Sequence, residues 1–136
     1  MEKLTEILHA SGASCVVENR GEVRRFYQRG VKDLYCLYKT ESSFLCGAKV
    51  ADKVVGRAAA TLMILGGVES IYAQTISTLA LQTLSNTDIK VIFEKEVPYI
   101  INRTKTDLCP LERATKHLTS TDDIFAAIEQ FILSMA

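Results

Sequence analysis

Between Phe44 and Phe93 the chain alternates between β-prone and helical segments joined by short connections, and this pattern limits the fold more than any other feature. Phe44 to Ala51 predicts a strand. Lys53 to Leu65 carries a helical period, with Asp52 before it as N-cap and Gly66-Gly67 as the stop. Val68 to Ala73 predicts a second strand. Ser77 caps a helix running to about Asn86, and Ile89 to Phe93 predicts a third strand. Strands separated by helices of this length pair in parallel through right-handed crossovers.

Upstream, Cys15–Glu18 and Val23–Tyr27 flank Asn19-Arg20-Gly21, which is a hairpin signal. Leu4, Ile7 and Leu8 fall at helical spacing, so a short amphipathic helix is predicted over residues 3–10, ended by Ser11-Gly12. Leu34, Leu37 and Tyr38 suggest another short helix after Gly30. Residues 94–108 follow neither period, and a connection of that length in a small domain is often functional. Pro110 suits the first turn of a helix. Ile124, Phe125, Ile128, Phe131 and Ile132 form one face of a last helix, with Ser120 and Asp123 as a capping box. The expected architecture is a single α/β domain over residues 1–136. It is a three-layer sandwich in which a mixed five-stranded sheet, an N-terminal hairpin plus a parallel βαβαβ unit, carries helices on its faces.

A chain of 136 residues can bury a core without disulfide or metal staples. Hydrophobic residues make up 48% and charged residues 24%, a globular balance rather than a disordered one. Sixteen basic and sixteen acidic side chains cancel, which argues against a broad nucleic-acid or membrane surface, since both need a basic excess. No apolar run reaches the ~18 residues of a membrane span. The polar start, Met1 to Glu6, lacks a signal-peptide pattern, so a cytoplasmic location is expected. Cys15, Cys36, Cys46 and Cys109 show neither a C-x-x-C pair nor zinc-finger spacing. Free, mostly buried thiols are expected, with no metal and no cofactor.

Three groups of residues are candidates for chemistry. Lys53 and Arg57 lie four apart near a helix start, where like charges repel and the helix dipole disfavours cations, and Gly56 between them weakens the helix. An anion site with a close backbone approach at Gly56 accounts for all three features. A solvated Lys53 and an Arg57 paired with a carboxylate account for them equally well. Cys109 precedes the helix that begins at Pro110, where the dipole favours thiolate, and Glu112 lies within reach of the same end. The alternative is a small apolar residue at Cys109, with Glu112 as its capping partner. Tyr99, Asn102 and Arg103 in the long connection could read an amide, phosphate or ring, or form an ordinary edge segment with a turn at Asn102.

The runs Asp52 to Ala60, Val97 to Arg103 and Cys109-Pro110-Leu111-Glu112 together resemble a prokaryotic family of small uncharacterised proteins, a domain of unknown function with a cytidine-deaminase-like fold. The resemblance covers the chain from the first hairpin to Glu112. Cytidine-deaminase folds run helix, hairpin, then alternating helices and parallel strands. Their zinc ligands come from a [HC]-x-E motif at the start of the second helix and P-C-x-x-C at the start of the third. With the second helix taken to open at Asp52-Lys53-Val54-Val55 and the third at Ile76-Ser77-Thr78, the ligands and the proton-shuttling glutamate are missing from both places. What the resemblance leaves is a cleft at the N-terminal ends of those helices, where Asp52, Lys53, Gly56 and Arg57 fall. The expectation is a domain that binds a small anionic or nucleotide-like metabolite. Lys53, Gly56, Arg57, Tyr99, Asn102 and Arg103 would hold it, and Cys109, Glu112 and Asp52 would be available for chemistry. The alternative is a non-catalytic structural or regulatory interaction module. The sequence leaves a homo-oligomer open.

Overall fold

The computed structural model describes residues 1–28, 31–101 and 109–134. Its sheet has the order β2-β1-β3-β4-β5, formed by β1 (Cys15–Asn19), β2 (Glu22–Phe26), β3 (Lys49–Val55), β4 (Ser70–Ser77) and β5 (Lys90–Val97). β1 runs antiparallel to both neighbours, and β3, β4 and β5 are parallel. The mixed five-stranded sheet expected from the alternation is therefore present. At the hairpin, Arg20 and Gly21 both take positive φ, 51° and 82°, so this two-residue turn matches the twist of the strands it joins.

Helices cover both faces of the sheet. α1 (Glu2–Ser11) packs on β1 and β3, where Leu4, Leu8, Val16, Ala51 and Tyr72 form a small core. The main core lies on the other face. There α2 (Lys32–Leu45), α3 (Arg57–Gly66) and α4 (Thr78–Leu84) bury Val50, Val55, Leu62, Met63, Ile71 and Ile76. α5 (Pro110–Thr115) and α6 (Thr121–Ser134) close over α3. α6 reaches α2 through Phe125, which stacks on Tyr35 at 6.1 Å, while the Tyr35 hydroxyl donates to Glu129 at 2.6 Å. That bond pushes the phenol up to about 12.

Several boundaries differ from the sequence expectation. The helix placed at 53–65 with Asp52 as N-cap begins instead at Arg57, and Gly56 is its N-cap in extended conformation. β-branched Val54 and Val55 pair with Thr75 and Ile76 of β4, and this ladder outweighs a helical period that reads through them. Gly56 is thus not a helix-interior glycine. Phe44 and Leu45, taken as the start of a strand, end α2, which is longer than the short helix expected and breaks at Glu41 (φ −143°, ψ 51°). β5 runs on to Val97, shortening the connection thought to begin at residue 94. Ser77 does cap α4, its hydroxyl accepting from the Ala80 N–H at 3.1 Å.

Candidate functional site

Parallel β3, β4 and β5 place their carboxyl ends at one edge of the sheet, and antiparallel β1 begins at that edge with Cys15. Helices α2 and α3 also start there. Cys15 faces Asp52 across the β1–β3 ladder. Both are nearly sealed, at 7% and 8% exposure, with the thiol beside the carboxylate. Burial pushes the Asp52 carboxyl up to about 7, against the backbone N–H groups of Val54 and Lys53 and the thiol, which favour the charged form. Burial also raises the Cys15 thiol, and the charges of Asp52 and of Asp33 in the first turn of α2 raise it further. At neutral pH the thiol is protonated and Asp52 is poised between its two forms. Sequence reasoning picked Asp52 as a helix cap and passed over Cys15 and Asp33. No spacing in the chain links positions 15, 33 and 52; the antiparallel pairing and the start of α2 bring them together.

Glu112 is 2% exposed and its carboxylate is turned inward. Oε1 accepts from the Arg57 N–H at 3.0 Å, and Oε2 accepts from the Ile100 N–H at 2.7 Å. It therefore satisfies a free donor at the N-terminus of α3 and ties the 98–101 segment to it. The approach is tight, since a Cβ on Gly56 would lie 3.1 Å from Oε1 and 3.2 Å from Ile100 Cγ1. The groups that approach Gly56 closely are the side chains of Glu112 and Ile100, in place of the ligand or backbone expected there.

Arg57 also departs from expectation. Its guanidinium is buried, with Nε donating to Thr83 Oγ1 at 3.0 Å. Nη1 donates to the carbonyls of Thr115, Lys116 and Leu118 at 3.2, 3.3 and 2.5 Å. It caps the end of α5 from within the core. Lys53 lies on β3, half-buried, so the two cations share no helix face. Tyr99 is 41% exposed, with Lys116 Nζ 5.8 Å from its ring centre. Cys109 is the N-cap of α5 with Pro110 after it, as expected, and its backbone N–H donates to Ile100 O at 2.8 Å. Asn102 and Arg103 lie outside the described residues.

The sequence model of the family described as a domain of unknown function (DUF1893, TM1506) matches residues 3–132. The chain belongs to the DUF1893 family. Its fold is similar to the crystal structure of a DUF1893 family protein from Thermotoga maritima, with a TM-score of 0.86 at 21% identity, covering 99% of this chain and 88% of that one. No curated protein matches the sequence. The resemblance drawn from the three motifs thus holds for an uncharacterised domain family.

The DUF1893 chain can also be tested against deaminase zinc ligation. The second helix is α2, not the helix that follows Asp52, so the helix starts to compare are those of α2 and α3. They read Val31-Lys32-Asp33-Leu34 and Gly56-Arg57-Ala58-Ala59. These starts offer one carboxylate and neither thiolate nor imidazole, which does not fit a zinc ion bound in that manner. Among the described residues no group of three or more His, Cys, Asp or Glu could hold a metal ion, and no helix is long and apolar enough to cross a membrane.

Proposed function

We propose that this DUF1893 domain binds a small anionic, nucleotide-like metabolite at the carboxyl ends of β3 and β4, on a deaminase-like scaffold, and that Asp52 exchanges a proton with it. The observation that carries the reading is the sealed Asp52–Cys15 pair, in which a carboxyl with a value of about 7 sits in β3 three residues short of the carboxyl end, the side of an open α/β sheet that binds ligands. A protonated Asp52 donates a hydrogen bond, and an ionised one accepts a proton, so one group serves both directions near neutrality. Lys53 follows it on β3 with its side chain on the α1 side of the sheet, so it supplies a cation for an anionic ligand from the face opposite the carboxyl. The segment carrying Tyr99, held to α3 by Glu112, supplies a ring on which a base can stack. The order helix, hairpin, then alternating helices and parallel strands supports the deaminase-like assignment.

Titration of isotope-labelled protein with nucleoside monophosphates, followed by amide shift mapping, tests this. Shifts should centre on Cys15, residues 26–28 and residues 52–57. They should vanish in Lys53→Ala and lose their pH dependence near neutrality in Asp52→Asn. No shifts, or shifts confined to the opposite edge of the sheet, would overturn the reading. A second reading, a non-catalytic interaction module, draws support from the use of Arg57 and Glu112 as internal fasteners.

A further inference from the structure

Among the described residues β5 pairs with a strand on one side only, so its outer edge presents a row of backbone donors and acceptors along Lys90–Val97 for a further strand. Sheet edges are normally kept short, bulged or covered, because a long one templates pairing with another chain. Two large apolar side chains stay in solvent here, Ile92 at 57% and Phe93 at 40% exposure. Ile92 is in register with Tyr72 of the α1-side core and Phe93 with Ala73 of the main core, so they lie on opposite faces of the strand. The remaining exposed positions alternate in charge: Lys90, Glu94, Lys95, Glu96.

We infer that this edge pairs antiparallel with β5 of a second copy, giving a two-fold dimer with one continuous sheet. The sequence of the strand selects the occupant and the register. Antiparallel pairing about a dyad normal to the sheet keeps each face on its own side, so a residue can oppose only one of the same parity, and the dyad passes between two copies of one residue. With Phe93 on the dyad, Phe93 meets Phe93, Ile92 lies opposite Glu94, Val91 opposite Lys95, and Lys90 opposite Glu96 on both sides. The strand then pairs along nearly its whole length, with one complementary charge pair, Lys90 and Glu96, on each side of the dyad and no like charges opposite. Moving the dyad to Glu94 sets carboxylate against carboxylate, and moving it to Ile92 keeps a Lys90–Glu94 pair on each side but shortens the pairing to residues 90–94 and brings Glu96 opposite Asp88, beyond the strand. Cross-strand pairs of opposite charge stabilise, like charges destabilise and a longer ladder adds backbone bonds, so the Phe93 register wins. One Glu96 oxygen accepts from the Thr78 hydroxyl on the β4 side at 2.7 Å, which leaves the other oxygen for Lys90 of the second copy.

Sedimentation velocity over a wide concentration range should show the full chain passing from monomer to dimer. Lys90→Glu alone and Glu96→Lys alone should each weaken the dimer roughly tenfold or more, because each puts like charges opposite on both sides of the dyad. The double variant should recover the original association. The two single variants, each mainly monomeric, should form a mixed dimer when combined. Melting temperatures of the separate variants check that each is folded. A monomer at every concentration, single variants that associate like the original chain, or a mixture that stays monomeric would each overturn the inference.

Discussion

Asp52 holds a proton in the folded chain that it would release in the unfolded one, because burial beside Cys15 raises its carboxyl from 3.8 to about 7. A group whose native value is raised contributes full stability below its unfolded value, and that contribution is lost as pH climbs through the native value. Between pH ~4 and ~7 the Asp52 contribution should therefore decline by about 1.4 kcal/mol per pH unit. Denaturant unfolding at a series of pH values should show this slope in the original chain and a flatter one in Asp52→Asn, which is the more stable of the two at pH 8. Equal slopes would mean that Asp52 does not carry the proton. The same scale explains Arg57. A guanidinium is always charged and offers a fork of donors, so the three carbonyls at the end of α5 and the Thr83 hydroxyl can use it as an internal cap.

Three elements meet where Glu112 of α5 bonds the first N–H of α3 and the Ile100 N–H. The joint depends on the missing Cβ at Gly56, because Glu112, held by two N–H groups in a buried setting, has little freedom to move away. Gly56→Ala should cost about 1–2 kcal/mol by forcing that carboxylate back, and Glu112→Ala about 2 kcal/mol through the donors it strands. The two losses should not add. In a double-mutant cycle the alanine at 56 should be nearly harmless once the carboxylate is gone, leaving a coupling of about 1 kcal/mol. Additive losses would show that Gly56 is required for another reason.

Across the whole molecule, the main core depends on how closely α2 and α3 cross. A Cβ on Gly66 would lie 2.7 Å from Leu45 Cδ1 and 2.8 Å from Leu45 Cβ, near the end of α2. The second of these atoms sits next to the backbone and cannot swing aside. Gly66→Ala should destabilise the fold by about 1–3 kcal/mol, read as a lower unfolding midpoint, and Leu45→Ala in the same chain should lower it further, because alanine keeps the Cβ that the new methyl meets and empties a buried site. A midpoint unchanged by Gly66→Ala would mean that the helices separate without cost. Gly66 thus serves two purposes at the end of α3: close packing against α2 and, with Gly67, the stop that sequence reasoning assigned to the pair.

Local chemistry was enough to determine the hairpin at Arg20-Gly21, the Ser77 cap, the Pro110 helix start and the parallel alternation, because each rests on residues near one another in the chain. The bounds of β3 were not legible. Lys53, Val54 and Val55 fit a helical period, and only pairing with β4 decided that they form a strand, which moved Asp52 from a helix cap to a strand interior. The candidate site was legible in part. Gly56 stands out in the sequence as a local irregularity, Asp52 as a helix cap and Glu112 as a carboxylate near a helix start, while their partners Cys15, Ile100 and Arg57 N–H are set by long-range contacts. Charge at Arg57 was visible in the sequence. Its use was decided by tertiary structure, since a buried guanidinium takes whatever acceptors the folded chain brings to it, and here those are the carbonyls at the end of α5.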